Sequence, residues 1–320
     1  MLPLTLACWD YDRTRPLIDG RVKAEGIALD ISLMRPQQAF QAMLRNEFHV
    51  AEMSLANYTA MKARGACPFV GIPVMLSKMF RHSCIYVRSD AGIRSPADLK
   101  GKRAGTAQFT STGVVFAKGM LDHDHDVTQR DMSWWIGGLH APVPPSAQPP
   151  APPPGVQMQH LPADRTLEDM FKEGQIDVLF SNHFPALWDQ RWPGIARLFP
   201  DFKATEQDYF RRTRIFPIMH VVVIREDVHH EHPSAAKSLY RAFCEARDLA
   251  ANGLYDTDAL RLSLPWLIDH IEETRGVLGA DFFAYGIEPN RPALTAIGQY
   301  LHEQGLVPRV VAPEELFVPV

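Results

Sequence analysis

Residues 79–121, MFRHSCIYVRSDAGIRSPADLKGKRAGTAQFTSTGVVFAKGML, set out a strand, a capped helical start, a second strand and a helix. Residues 83–88 are apolar enough for a short strand, and Arg88-Ser89-Asp90 closes it. Ser95-Pro96-Ala97-Asp98 is a capping box with proline in the first helical position. Residues 102–105 predict another short strand. Phe109-Thr110-Ser111-Thr112-Gly113 then opens a helix through Leu121, and a hydroxyl-rich helix start collects free N–H groups and positive dipole. The three hydroxyls serve equally well as redundant caps.

The same alternation extends in both directions. Leu2–Cys8 predicts a strand followed by the polar and aromatic cluster Trp9-Asp10-Tyr11-Asp12-Arg13, and Thr14-Arg15-Pro16 offers a helix start. Ile27, Leu29, Ile31 and Leu33 alternate as a half-buried strand, and Phe40, Met43 and Leu44 share a helix face. Residues 49–53 return to strand, Ser54 caps the next helix, and 69–75 is a further strand. Thr166-Leu167-Glu168-Asp169 is a second capping box, and the strand over 176–180 ends in Ser181-Asn182-His183. In open α/β sheets ligands gather beyond the carboxyl ends of strands, where both Trp9–Arg13 and Ser181–His183 stand. Residues 221–224 followed by Arg225-Glu226-Asp227 echo 85–87 followed by Arg88-Ser89-Asp90, which suggests paired crossovers between two lobes. Beyond them Leu239, Phe243 and Leu249 mark one amphipathic helix and Leu294, Ile297 and Leu301 another, both expected to cover the first lobe.

Bulk properties narrow the class. A chain of 320 residues with 46% hydrophobic and 22% charged residues suits two globular domains. A net charge of −4 argues against nucleic acid or an anionic membrane as partner. Cys8, Cys67, Cys84 and Cys244 lack CxxC spacing and are expected as buried free thiols in a reducing compartment. No stretch has the length of a membrane span, and MLPLTLACW lacks the basic and apolar regions of an export signal, so a cytoplasmic protein is expected. Residues 142–154 hold eight prolines in thirteen positions and predict an extended surface excursion.

VRSDAGIRSPADLKGKRAG and FKEGQIDVLF resemble the type II periplasmic-binding-protein fold: an α/β chain of two lobes, each a mixed sheet flanked by helices, with two interlobe crossover strands. The limits expected are 1–86 and 221–320 for the first lobe and 87–220 for the second. LACWDYDRTRPLIDGRV, EFHVAEMSLANY, PFVGIPVMLSKMFRHSCIYV and the Asn182-His183 turn resemble, over almost the whole chain, the 4,5-dihydroxyphthalate decarboxylase family. The resemblance implies loss of CO2 from 4,5-dihydroxyphthalate to leave protocatechuate, with no organic cofactor and a small aromatic carboxylate as the partner. A homo-oligomer is the expected assembly.

That reaction needs an acid at the ring carbon bearing the leaving carboxylate, an acceptor for the para phenolic proton, and a cationic clamp for the retained carboxylate. In the cleft expected between the lobes, His82 is the first choice of acid because histidine titrates near neutrality, with His183 as runner-up or as acceptor. Arg81 and Arg13 are natural carboxylate clamps. Asp10, Asp12 and Glu52 are candidates to accept from the catechol hydroxyls or to hold a histidine tautomer, and Trp9, Tyr11 and Phe109 to stack on the ring. Ser54, Thr110, Ser111, Thr112 and Asn182 complete the expected binding set. Against these stand plainer roles: a hinge network for Arg81 and His82, a structural partnership of Glu52 with Arg13, lobe-interface packing for Trp9 and Phe109, and a core position for His220. No metal is expected in Asp122-His123-Asp124-His125-Asp126 or His229-His230-Glu231-His232, while a site of dispersed His82, His183 and Glu52 stays open. Two other classes compete: a non-catalytic aromatic-acid binding or sensor protein, and a pyrimidine- or thiamine-precursor enzyme, for which a cysteine-rich cleft is missing.

Overall fold

A computed structural model describes residues 1–143 and 151–320, so most of the proline-rich run lies outside the described residues. The strands in chain order are β1 (Leu2–Cys8), β2 (Ile27–Leu33), β3 (Val50–Ser54), β4 (Phe69–Lys78), β5 (Ile85–Arg88), β6 (Arg103–Thr106), β7 (Ser133–Ile136), β8 (Gln157–His160), β9 (Val178–Phe180), β10 (Ile195–Arg197) and β11 (Ile218–Arg225). They form two mixed sheets in two compact units. The first unit comprises Met1–Lys78, Thr213–Ala296 and Val311–Val320, and the second Met79–Arg212 and Ile297–Val310.

The first unit carries the sheet β2-β1-β3-β11-β4, in which β1 is parallel to β2 and β3 while β11 runs antiparallel to β3 and β4. All five residues of β3 are buried, and Val221, Val222, Val223 and Ile224 of β11 are wholly inaccessible, as a strand covered on both faces requires. Pro73, which has no N–H to donate, sits in the edge strand β4. Because β11 opposes its neighbours, its start meets their carboxyl ends: His220 is level with Ser54, and Ile218 with Lys78. Residues 9–13, the end of β3, the end of β4 and the start of β11 therefore share one edge of this sheet.

The second unit carries the sheet β10-β5-β9-β6-β7-β8. Here β6, β7, β8 and β9 run parallel and β5 antiparallel, with Ile85 level with Phe180. Arg81 before β5, Ser111 after β6 and Asn182 after β9 are thereby placed at one edge. The helix Thr112–His125 packs closely, all of Thr112 to Leu121 being buried. Its Gly119 lies under Tyr300, where a Cβ would meet the ring at 2.2 Å.

Of the two echo strands, β5 pairs within the second sheet and β11 within the first, and the compact units divide after Lys78 and before Thr213. The limits 86/87 and 220/221 accordingly differ from those of the compact units. The last helices do not all belong to the first unit, since residues from Ile297 to Val310 group with the second. In the helix Ser234–Asn252, Leu239 and Phe243 are buried but Leu249 is 38% exposed. Ten residues beyond Leu239, Leu249 falls roughly 80° off that face at 3.6 residues per turn, and Ala246 takes the inward position. Cys8 and Cys84 are buried and Cys67 and Cys244 half-buried, all as free thiols. No described helix is long and apolar enough to cross a membrane.

Candidate active site

Glu52, in the middle of β3, is completely buried, and its carboxylate is met on every side by donors. Nδ1 of His220 lies 2.7 Å from Oε1, the Tyr11 hydroxyl donates to the same oxygen at 2.6 Å, and the Trp9 amide donates to Oε2 at 3.1 Å. Burial alone would raise this carboxyl, but the hydrogen bond and charge of His220, with the Tyr11 and Trp9 bonds, outweigh it and hold it below its ordinary value. Burial, reinforced by the Glu52 charge, drives the Tyr11 phenol well up, so it stays a donor. With its Nδ1–H given to a carboxylate, His220 keeps Nε2 as acceptor when neutral and as donor when protonated. That nitrogen has no hydrogen-bond partner among the described residues, and the side chain is 20% exposed. The Phe40 ring stands edge-on to the imidazole at 5.0 Å and fixes its plane.

Arg13 flanks this cluster. Its guanidinium stacks between Tyr11 (4.1 Å) and Phe283 (4.5 Å), donates from Nε to Leu76 O at 2.7 Å and from Nη2 to the same carbonyl, and pairs through Nη1 with Asp12 at 2.9 Å. Asp10 is taken by Arg15. Asp12 is half exposed, and Trp9 lies under the Arg35 guanidinium at 5.0 Å. Ser54 is buried and caps the helix Leu55–Ala63 by accepting from Asn57 N. Glu52 is thus committed to His220, Tyr11 and Trp9 rather than to Arg13, and both of its oxygens are occupied.

The second unit gathers a different chemistry. Ser111 opens the helix Thr112–His125 without making a capping bond; its hydroxyl accepts instead from Asn182 Nδ2 at 3.0 Å. The Arg81 guanidinium lies against Gly113, where a Cβ would be 2.8 Å from Arg81 Nε and 2.2 Å from Asn182 Oδ1. Only glycine lets a guanidinium and an amide approach the helix start so closely. Arg81, Ser111, Gly113 and Asn182 thus cluster at a helix N-terminus, a chemistry that favours an anion. Thr112 is buried beside it, and Thr110 is exposed.

Other expected residues fall elsewhere. His82 is 3% exposed among the Phe199 and Tyr209 rings, its Nδ1 without a hydrogen-bond partner among the described residues and 3.9 Å from Glu206. Burial pushes its ring down to about 4, and burial likewise pushes the Glu206 carboxyl up to about 7. His82 is therefore uncharged near neutrality, a poor source of a proton there. Phe109 is buried, with Lys118 Nζ 3.4 Å above its ring and Trp134 in a T-shaped contact at 5.0 Å. His183 is exposed in the turn after β9, where Ser181 Oγ donates to its carbonyl at 2.6 Å. Clusters of metal-ligand type among the described residues are Asp122–His123–Glu303 and Asp269–His270–Glu273, each with two exposed members.

His220, for which a core position was the expected role, is the residue that the structure sets against Glu52. Its available signal was a polar residue heading an otherwise apolar strand. A model of the ABC-transporter phosphonate periplasmic substrate-binding proteins matches residues 12–143. A 4,5-dihydroxyphthalate decarboxylase of Comamonas testosteroni is 34% identical over 99% of this chain and 97% of its own. One of Pseudomonas putida is 32% identical over 66% of this chain and 82% of its own. Among solved structures, the aliphatic sulphonate binding protein SsuA of Escherichia coli superposes with a TM-score of 0.54 at 14% identity, covering 100% of this chain and 92% of that one. The alkanesulfonate-binding SsuA of Xanthomonas axonopodis, bound to MOPS, gives 0.55 at 12% identity, covering 100% and 99%. The fold is periplasmic-binding-protein-like.

Proposed function

Since the chain belongs to the 4,5-dihydroxyphthalate decarboxylase family, we propose that it is a carboxy-lyase converting 4,5-dihydroxyphthalate to protocatechuate and CO2 without an organic cofactor, with His220 carrying the proton. Each carboxylate of that substrate is para to one hydroxyl. Protonation of the carbon bearing the leaving carboxylate gives a cationic ring, and loss of the para phenolic proton makes it a neutral dienone. The C–CO2 bond then breaks, its electron pair returns to the ring, and the phenolate regains a proton. One proton is taken up for each CO2 released.

The observation that carries this assignment is the 2.7 Å contact between His220 Nδ1 and the fully buried Glu52. A buried carboxylate stabilises an imidazolium and orients it, so Nε2 can deliver a proton and recover it. Tyr11 and the Trp9 amide keep Glu52 ionised and still. Arg81, Ser111 and Asn182 are suited to a carboxylate, the group that this substrate class offers twice.

Purified protein incubated with 4,5-dihydroxyphthalate, with and without a chelator, is expected to release CO2 and protocatechuate equally in both. Tight binding with no turnover would support the rival reading, a non-catalytic aromatic-acid binding protein. Activity lost to chelator and restored by metal would overturn the metal-free mechanism.

A further inference from the structure

Lys78 closes β4 at the edge of the first sheet that also carries Tyr11, Glu52 and His220. The residue is half-buried. Its Nζ donates to Ala284 O at 2.8 Å and faces the rings of Phe283 and Phe216 at 5.1 and 5.7 Å. Among the described residues no carboxylate comes within ion-pair distance of it. Asp281, whose charge favours the ammonium, lies 3.7 Å from Arg247. Arg247 and Arg13 oppose that ammonium, and Arg13 shares the Phe283 ring with it. Beside Ala284 the Tyr285 hydroxyl is buried with no partner among the described residues. Burial first, and then the two guanidinium charges, bring the lysine down to about 7. An ammonium with two N–H bonds left over, walled by aromatic rings and set among cations, is a place that an anion completes.

We propose that Lys78, together with Arg13, binds one carboxylate of the vicinal aromatic dicarboxylate handled by this enzyme. The inference rests on the proposed substrate class and adds a residue that neither the sequence patterns nor the Glu52–His220 contact assigns. An arriving carboxylate supplies the counter-charge that Lys78 lacks, so at mildly alkaline pH the amine takes up a proton as the anion binds. A lysine serving only to anchor the Ala284 carbonyl would show no such uptake.

Phthalate is the probe, because without a phenol it binds but has no para proton to lose. Titration calorimetry at pH 8 in two buffers of different ionisation heat is expected to give about 0.5 to 1 proton taken up per site. Lys78→Met should abolish the uptake and weaken phthalate by about tenfold or more. Lys78→Arg should recover part of the affinity with no uptake, because guanidinium stays charged. Lys78→Met with wild-type affinity and uptake, or no uptake by the wild type, would overturn the inference. Should Lys78→Met melt abnormally, the wild-type and arginine titrations still decide. Turnover of 4,5-dihydroxyphthalate by the same preparation separates the two claims. Turnover with flat proton data removes the role of Lys78 alone, whereas absence of both turnover and phthalate binding removes the substrate reading as well.

Discussion

His220 and Glu52 lie on neighbouring antiparallel strands two residues out of register, a diagonal pair on one face of the sheet. Their contact joins residues 168 positions apart, so it depends on that register and on no local motif. Glu52→Gln keeps a hydrogen-bond acceptor for the imidazole but removes the charge. It is expected to lower kcat by about 10²- to 10³-fold with little change in KM, as loss of an oriented acid–base group does; steady-state kinetics on both parameters checks it. Glu206 makes a separate, pH-dependent prediction. Its folded value, about 7, lies above its ordinary one, so the folded chain holds a proton that the unfolded chain has released. This contribution to stability is complete below the ordinary carboxylate range and is lost as pH rises through about 7. His82 runs the other way: its depressed value means that its stabilisation is lost as pH falls from the ordinary histidine range toward about 4. Glu206→Gln should therefore raise Tm relative to wild type at pH 8 and lose that advantage at pH 5. Equal differences at the two pH values in thermal melts would contradict the assignment.

At the level of elements, the strand ends were readable because composition changes abruptly there. Trp9–Arg13 and Ser181–His183 follow β1 and β9 as the alternation indicates; the capping box at Ser95 forms, Asp98 accepting from Ser95 N, and Thr166 caps its helix by accepting from Asp169 N. Arg81, Ser111 and Asn182 were each singled out, and β5, β6 and β9 bring them together. What was not readable depended on pairing across long separations. β11 has the composition of any buried strand, so nothing in it announces the contact of His220 with Glu52. The burial of His82, the first choice of acid, was not readable because its aromatic cover, Phe199 and Tyr209, comes from more than a hundred positions away. Gly113 tests the anion seat. Gly113→Ala places a methyl where Asn182 Oδ1 and the Arg81 guanidinium now sit, so both must shift. KM is expected to rise by about tenfold with kcat changed less, the pattern of lost binding rather than lost chemistry. An unchanged KM would mean that the seat holds no substrate.

For the molecule as a whole, family membership and a binding-protein fold are compatible because fold and chemistry are separable. The α/β class followed from alternation along the chain, and the two sheets from the resemblance of residues 87–105 and 171–180 to the type II periplasmic-binding-protein fold. The unit limits did not, because short strands such as β5 read the same whichever sheet they join. The first unit carries the Glu52–His220–Tyr11 cluster with Arg13 and Lys78, and the second carries the Arg81–Gly113–Asn182 cluster, the parts for which the proposed function gives separate roles. The identity of the proton donor distinguishes this reading from one based on the more conspicuous Arg81-His82 pair. The rate of CO2 release from 4,5-dihydroxyphthalate by His220→Asn and His82→Asn, both checked for folding, decides between them. His220→Asn is expected to fall by about 10²-fold or more while His82→Asn stays within about tenfold of wild type; near-normal release by His220→Asn alongside a collapse in His82→Asn would contradict the assignment.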